Sequence, residues 1–201
     1  WARIPEYKEF IFNSNAAAIG AELMDSKKVQ LFHEHVLVKE AATGVPTPWH
    51  QDAPYYCVDS AKTVSLWIPL DDVPRETTPE FISGSQKWDK FYRPQRFDGS
   101  ALNEHDGLED IPDINGHRGD YDILGWAVGP GDAIAFDYRT IHGAPANTSL
   151  SNQRRAFSLR LVGDDTRFVR REGIVTSPPF PGVTLEHGDV LAGEEFPVLL
   201  S

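Results

Sequence analysis

The chain has 201 residues, of which 40% are apolar and 24% charged, with a formal net charge of -11. That is enough chain for one well-packed domain and too much apolar content for a disordered one. The negative balance argues against non-specific binding to nucleic acid or to an anionic membrane.

The single cysteine, Cys57, excludes a disulfide framework and cysteine-rich zinc or iron–sulfur sites, and fits a reducing cytoplasm. No apolar run approaches the ~20 residues of a membrane helix. The chain starts at Trp1 rather than Met, so its N-terminal part is expected to be incomplete.

Residues 1–27 predict one helix, with Ser14 as its cap ahead of the alanine-rich run Ala16 to Met24. Val29 to Lys39 is rich in β-branched and aromatic residues and reads as a long strand. After a Pro-rich loop (Thr43 to Pro48), His50 to Cys57 predicts a short strand and Thr63 to Leu70 another. Residues 74–121 are irregular apart from Phe81-Ile82, and the acidic excursion 93–122 is long enough to expect a lid or substrate-shaping element.

Ile123 to Val128 and Ala133 to Tyr138 read as strands around the Gly129-Pro-Gly-Asp132 turn. His142-Gly143 is expected to open a loop, and Arg154 to Val162 is the last clear strand. The tail from Gly163 shows no period. Short strands separated by Gly/Pro turns, with helix only at the front, predict a mainly β sandwich or barrel such as a jelly roll. No linker divides the chain, so a single domain over 1–201 is expected, with its core at about 29–162.

The chemistry centres on Trp49-His50-Gln51-Asp52. If this segment is extended, His50 and Asp52 share a face and can hold one metal ion. His142, at the end of a predicted strand, would complete a two-His, one-carboxylate triad of the kind that suits non-haem Fe(II) oxygenases. Arg154 opens the next strand. Alternation puts Arg154, Ala156, Ser158 and Arg160 on one face and Arg155, Phe157 and Leu159 on the other, without saying which is inside. A buried guanidinium would pair with the far carboxylate of a chelating diacid.

The other four of the seven histidines outside His50, His142 and His187 carry weaker readings. His33 and His35 share a strand face and are expected to line a cavity, while His105 and His117 fall in the acidic excursion. His187-Gly188-Asp189 repeats the His-x-Asp spacing without a downstream histidine and reads as a surface turn.

Taken in order, Trp49-His-Gln-Asp52, Ser65-Leu-Trp67-Ile-Pro-Leu-Asp-Asp-Val73, Ile82-Ser-Gly-Ser85, Gly129-Pro-Gly-Asp132, His142-Gly-Ala with Asn147, and Arg154-Arg-Ala-Phe-Ser158 resemble the phytanoyl-CoA dioxygenase family. The resemblance runs from about Val29 to Val162. It implies a double-stranded β-helix (jelly-roll, cupin-like) core with flanking helices, and Fe(II)- and 2-oxoglutarate-dependent chemistry using O2, with ascorbate as a stimulant. It also implies His50, Asp52 and His142 as the iron ligands and Arg154 as the partner of 2-oxoglutarate's distal carboxylate. Gln51, Trp67 and His35 match further cosubstrate positions, and Lys39 matches a lysine often found on that strand.

Three departures stand out. The loop between His142 and Arg154 is one residue longer than the family pattern, which leaves Arg155 open as the clamp. Ala144 stands where a serine is frequent, and Gln86 where a histidine is frequent. Halogenases related to this family lack the carboxylate that Asp52 supplies here, so the expected outcome is hydroxylation of a small organic molecule with release of succinate and CO2, with desaturation and ring closure open to the same iron site. The alternatives are a non-catalytic jelly-roll module that binds a metal or ligand, and a Zn2+ hydrolase, which would need a general base that the motif does not offer.

Overall fold

The computed structural model describes residues 1–96, 98–103, 107–173 and 178–201. Two helices open it, α1 (Pro5–Asn13) and α2 (Ala16–Met24), where one was expected. Pro5 pre-sets the first turn of α1, and Glu6 stands at its positive end. Ser14 sits at the junction. It ends α1, and its Oγ accepts the backbone N–H of Ala16 at 3.3 Å.

The strands are β1 (Val29–Lys39), β2 (Thr47–His50), β3 (Val58–Asp59), β4 (Thr63–Pro69), β5 (Glu80–Ile82), β6 (Ile123–Leu124), β7 (Ile134–Phe136), β8 (His142–Ala144), β9 (Arg154–Val162), β10 (Arg167–Phe168) and β11 (Val198–Leu200). A five-stranded sheet runs β11-β1-β9-β4-β7, a four-stranded sheet runs β2-β8-β5-β6, and β10 pairs with β3. All the strand pairings are antiparallel. This is the double-stranded β-helix, or jelly roll, with helices on its outer side.

Four local expectations are corrected. The strand expected over His50 to Cys57 ends at His50. The chain then enters a 3-10 turn, Ala53–Tyr55, whose Pro54 has no N–H to give a ladder. The strand expected over Ile123 to Val128 is only Ile123–Leu124. His142 starts a strand, not a loop, and β8 lies in the sheet opposite β9 rather than beside it. The aperiodic tail contributes β10 and β11 and buries Leu191 and Phe196, because its few apolar residues pack against Phe32 and Tyr138 in the body of the fold.

The larger sheet has two unlike faces. On the helix side, Val64, Leu66, Phe157, Leu159 and Leu161 pack against Ile11, Ala17 and Met24. Fully burying one such aliphatic side chain is worth about 1.5–3 kcal/mol. Gly20 lets α2 approach closely, since a Cβ there would stand 2.7 Å from Leu161 Cδ1.

The other face carries Arg154, Ser158 and Arg160 from β9, Ser65 and Trp67 from β4, and His33, His35 and Lys39 from β1. In β1 the face switches at a bulge. Leu31 pairs with Leu161, Phe32 is the extra residue, and His33 pairs with Arg160. Odd-numbered residues therefore face the helices before Phe32 and the interior between the sheets after it.

Candidate active site

The antiparallel pairing of β2 with β8 sets His50 directly opposite His142. Their rings lie 4.2 Å apart, centre to centre. His50 Nδ1 is 2.9 Å from the Pro48 carbonyl, and His142 Nδ1 is 3.0 Å from the Thr140 carbonyl. A carbonyl only accepts, so each Nδ1 is a donor and Nε2 is the nitrogen each ring turns toward Asp52.

Asp52 joins them from the turn after β2, pinned where its own N–H and that of Ala53 both donate to the Tyr138 carbonyl at 2.9 Å. Asp52 Oδ1 lies 3.7 Å from His50 Nε2 and 4.0 Å from His142 Nε2. One ligand atom from each residue falls within 4.8 Å of the others. Two imidazole nitrogens and a carboxylate oxygen gathered this closely could hold one metal ion. Two imidazoles and one carboxylate suit Fe(II) with open positions.

The second oxygen of Asp52 is occupied elsewhere. Oδ2 accepts from Ser65 Oγ at 3.3 Å and is 3.3 Å from Arg160 Nη2. Burial alone would raise the Asp52 carboxyl. Arg160, followed by His142, His50 and His33, outweighs it and holds the group well below the usual carboxylate range. Burial, followed by the proximity of His50, lowers His142 to about 3, so its imidazole is neutral and fit to ligate.

A cavity of about 690 Å³ opens between the two sheets above the triad. Trp67, half-buried His35, Lys39 and Arg154 line it beside His50, Asp52 and His142. Arg154 is 8% exposed, and its guanidinium donates to the Thr77 carbonyl. Among the described residues no carboxylate pairs with it, and burial lowers it to about 10. Arg155 points the other way and forms an exposed ion pair with Asp71 at 2.6 Å. Lys39 Nζ donates to the carbonyls of Val45 and Pro145 at 3.1 and 3.0 Å. Burial, followed by the proximity of Arg154, lowers it to about 8.

Gln51 is the expected cosubstrate contact that the fold does not bring to the cavity. It is 2% exposed, its Nε2 donates to the carbonyls of Lys90 and Arg139, and its Oε1 accepts from the Tyr92 N–H. Its neighbours do related work. Trp49 Nε1 donates to Asn115 Oδ1 at 3.0 Å, and the Tyr55 hydroxyl both donates to and accepts from the backbone of Gln95. Trp49 and Gln51, which alternate with His50 and Asp52, and Tyr55 of the following turn thus tie down Lys90, Tyr92, Gln95 and Asn115, and Gln95, Arg96 and Leu102 of the 93–122 excursion reach the cavity wall.

The remaining histidines stay outside the triad. His187 lies in an exposed turn with Gly188 at φ 93°, as expected of the second His-x-Asp. His117 is exposed, and His105 lies outside the described residues. His33 is buried behind His35, ring centres 4.5 Å apart, with neither ring nitrogen hydrogen-bonded. The residue that sequence reasoning passed over is Arg160. A signal was available, since it shares the alternation of Arg154, and an inward arginine needs a carboxylate, of which Asp52 is the one at hand.

A protein-family model described as Phytanoyl-CoA dioxygenase (PhyH) matches residues 8–156. No curated protein sequence matches the chain. Among solved structures, the non-haem alpha-ketoglutarate-dependent epimerase SnoN from nogalamycin biosynthesis is 24% identical, with a TM-score of 0.73 over 98% of this chain and 73% of its own. The alpha-ketoglutarate-dependent carbocyclase SnoK from the same biosynthesis is 23% identical, with a TM-score of 0.74 over 98% of this chain and 73% of its own. EvdO2 from Micromonospora carbonacea var. aurantiaca, solved with 2-oxoglutarate, is 20% identical, with a TM-score of 0.61 over 82% of this chain and 66% of its own. These likenesses bear on the fold, and the family match covers the four-stranded sheet and all three residues of the triad. The chain belongs to the phytanoyl-CoA dioxygenase family.

Proposed function

We propose that this protein is an Fe(II)- and 2-oxoglutarate-dependent oxygenase that hydroxylates a small organic molecule, with release of succinate and CO2. The observation that carries the reading is the pairing, in one cavity, of a two-His, one-carboxylate triad with a buried arginine that lacks a carboxylate partner among the described residues. His50, Asp52 and His142 would hold the ion. When bound, iron with 2-oxoglutarate and O2 supplies the C–H oxidation that side chains cannot perform.

The protein's own residues bind, orient and exclude water. Arg154 offers a planar, two-pronged donor for the far carboxylate of 2-oxoglutarate, a burial that a dianion would offset. Trp67 and His35 wall the cosubstrate end. Burial, followed by the proximity of Arg160, lowers His35 to about 4, so it stands neutral in the cavity wall and adds no further positive charge there. The 93–122 excursion closes part of the cavity through Gln95 and Leu102 and keeps bulk water from the reacting centre.

Hydroxylation rather than halogenation is supported by Asp52, which fills the ligand position that a halide would need. Solved structures of the same fold include an epimerase and a carbocyclase, so the product must be measured. The test is succinate release by purified protein with Fe(II), ascorbate and 2-oxoglutarate, repeated across candidate metabolites with mass analysis for one added oxygen atom. Absence of both succinate and 2-oxoglutarate binding would overturn the oxygenase. Succinate release coupled to a product of unchanged oxygen content would overturn hydroxylation alone.

A further inference from the structure

We infer that Arg160 is a positioning residue for the metal centre: with Ser65 it captures Asp52 Oδ2, so that Asp52 presents Oδ1 alone to the ion. The inference rests on the reading of the triad as a metal site and extends it to a residue outside the ligand set.

The geometry divides the Asp52 carboxylate cleanly. Oδ1 faces the two imidazoles, at 3.7 Å from His50 Nε2 and 4.0 Å from His142 Nε2. Oδ2 faces Arg160 Nη2 and Ser65 Oγ, each at 3.3 Å. The clamp is itself fixed. Arg160 Nη1 donates to Ser158 Oγ at 2.9 Å, and its guanidinium lies 5.7 Å from the centre of the Tyr56 ring. Arg160 is 6% exposed and Ser65 0%, so neither can swing away into solvent.

The strand register builds this arrangement. Ser65 of β4 pairs with Arg160 of β9, and Arg160 pairs on its other side with His33 of β1. The clamp therefore sits in the middle of the larger sheet, while the ligands come from the smaller sheet and the turn that follows β2. Asp52 is the point where the two sheets are tied by charge.

The consequence is a matter of coordination number. A carboxylate free to rotate can chelate an ion through both oxygens and take a position that cosubstrate or O2 requires. Held through Oδ2, it takes one position and leaves the rest of that face open. Arg160 and Arg154 share one face of β9 but sit six residues apart, which at about 3.3 Å per residue separates their Cα atoms by roughly 20 Å. They cannot exchange roles.

The experiment is Co(II) titration of the full chain, read by visible absorption, followed by 2-oxoglutarate titration of the Co(II) protein. It compares wild type, Arg160→Met, Arg160→Lys and Ser65→Ala, with folding checked by circular dichroism. Arg160→Met is expected to lower Co(II) affinity about 10–100-fold and to change the shape of the Co(II) spectrum before any cosubstrate is added. A merely structural role would not alter that shape in a folded variant. Arg160→Lys keeps the charge but cannot bridge Oδ2 and Ser158, so the same spectral change is expected at smaller loss of affinity, with Ser65→Ala smaller again.

A folded Arg160→Met whose affinity and spectrum superimpose on wild type would overturn the inference. If Arg160→Met does not fold, a wild-type spectrum in Arg160→Lys would do so. Failure of wild type itself to bind Co(II), with His50→Ala as the control, would overturn the metal site as well and is thereby distinguished.

Discussion

The two faces of the five-stranded sheet are built from the same strands and do opposite work. Toward the helices, β9 presents Phe157, Leu159 and Leu161, and β4 presents Val64 and Leu66, in a dry apolar layer with Ile11 and Met24. Toward the cavity, the alternate residues of the same strands are Arg154, Ser158, Arg160, Ser65 and Trp67. One face supplies stability through buried area. The other buries two guanidiniums, which costs free energy unless each finds an anion. Arg160 has Asp52, and Arg154 awaits one. Under the proposed function the distal carboxylate of 2-oxoglutarate would supply that anion.

Substitutions on the two faces should therefore separate stability from binding. The largest effect is expected for His142→Ala, which removes one of the three ligands and should abolish metal binding, measured by titration with Co(II) or Fe(II), while the thermal midpoint of the metal-free protein changes little. A metal affinity near wild type would break the assignment of the cavity face. Leu159→Ala should do the reverse, costing about 2–5 kcal/mol in urea unfolding through the cavity it leaves. The surviving folded fraction should retain wild-type affinity for metal and cosubstrate.

Arg154→Ala is expected to weaken 2-oxoglutarate binding about 10–100-fold, in line with the ~1.5–3 kcal/mol typical of hydrogen bonds to charged groups. Arg155→Ala should leave it unchanged by calorimetry. If Arg155→Ala is the damaging one, the inward face of β9 at this end has been misassigned.

The smallest effect is a pH dependence. Burial, followed by the proximity of Arg160, lowers His35 to about 4 in the folded protein, against ~6.5 for a free imidazole. Between those values the unfolded chain binds a proton that the folded one does not. Stability contributed by this group is thus full above about 6.5 and falls as pH drops toward 4. His35→Gln should flatten that part of the profile of urea midpoints, leaving a residual slope from His33, which is lowered by burial and by Arg160 as well. An unchanged slope would place the acid sensitivity elsewhere.

Much of this was legible from the residues. The long strands Val29 to Lys39 and Arg154 to Val162 have the composition and alternation that strands need, and they form as expected. The short strands were poorly legible. β2, β6, β8, β10 and β11 have two to four residues each, and so few residues carry no period that distinguishes them from loop. The first helix, α1, was hard to read because no side chain caps its start and Pro5 is the main signal there.

At the site, the order His50, Asp52, His142 and Arg154 pointed to the chemistry. At Gln51 the resemblance implied a cosubstrate contact, whereas its amide holds the backbone of Lys90, Tyr92 and Arg139.

The sequence by itself determined which side chains are available and in what order: a His-x-Asp pair, a distant His, an arginine opening a strand, and a single cysteine, too few for a thiolate metal site. Tertiary structure decided which of them meet. Alternation with period 2 defines two faces of a strand and cannot say which is inside, so Arg154 and Arg155 stayed equivalent until β9 was packed between β1 and β4. The bulge at Phe32 inverts the parity of β1, and no composition marks it, because it arises where the strand is fitted to its partner. The pairing of His50 with His142 is likewise a property of two strands, far apart in the chain, that only the folded four-stranded sheet makes neighbours.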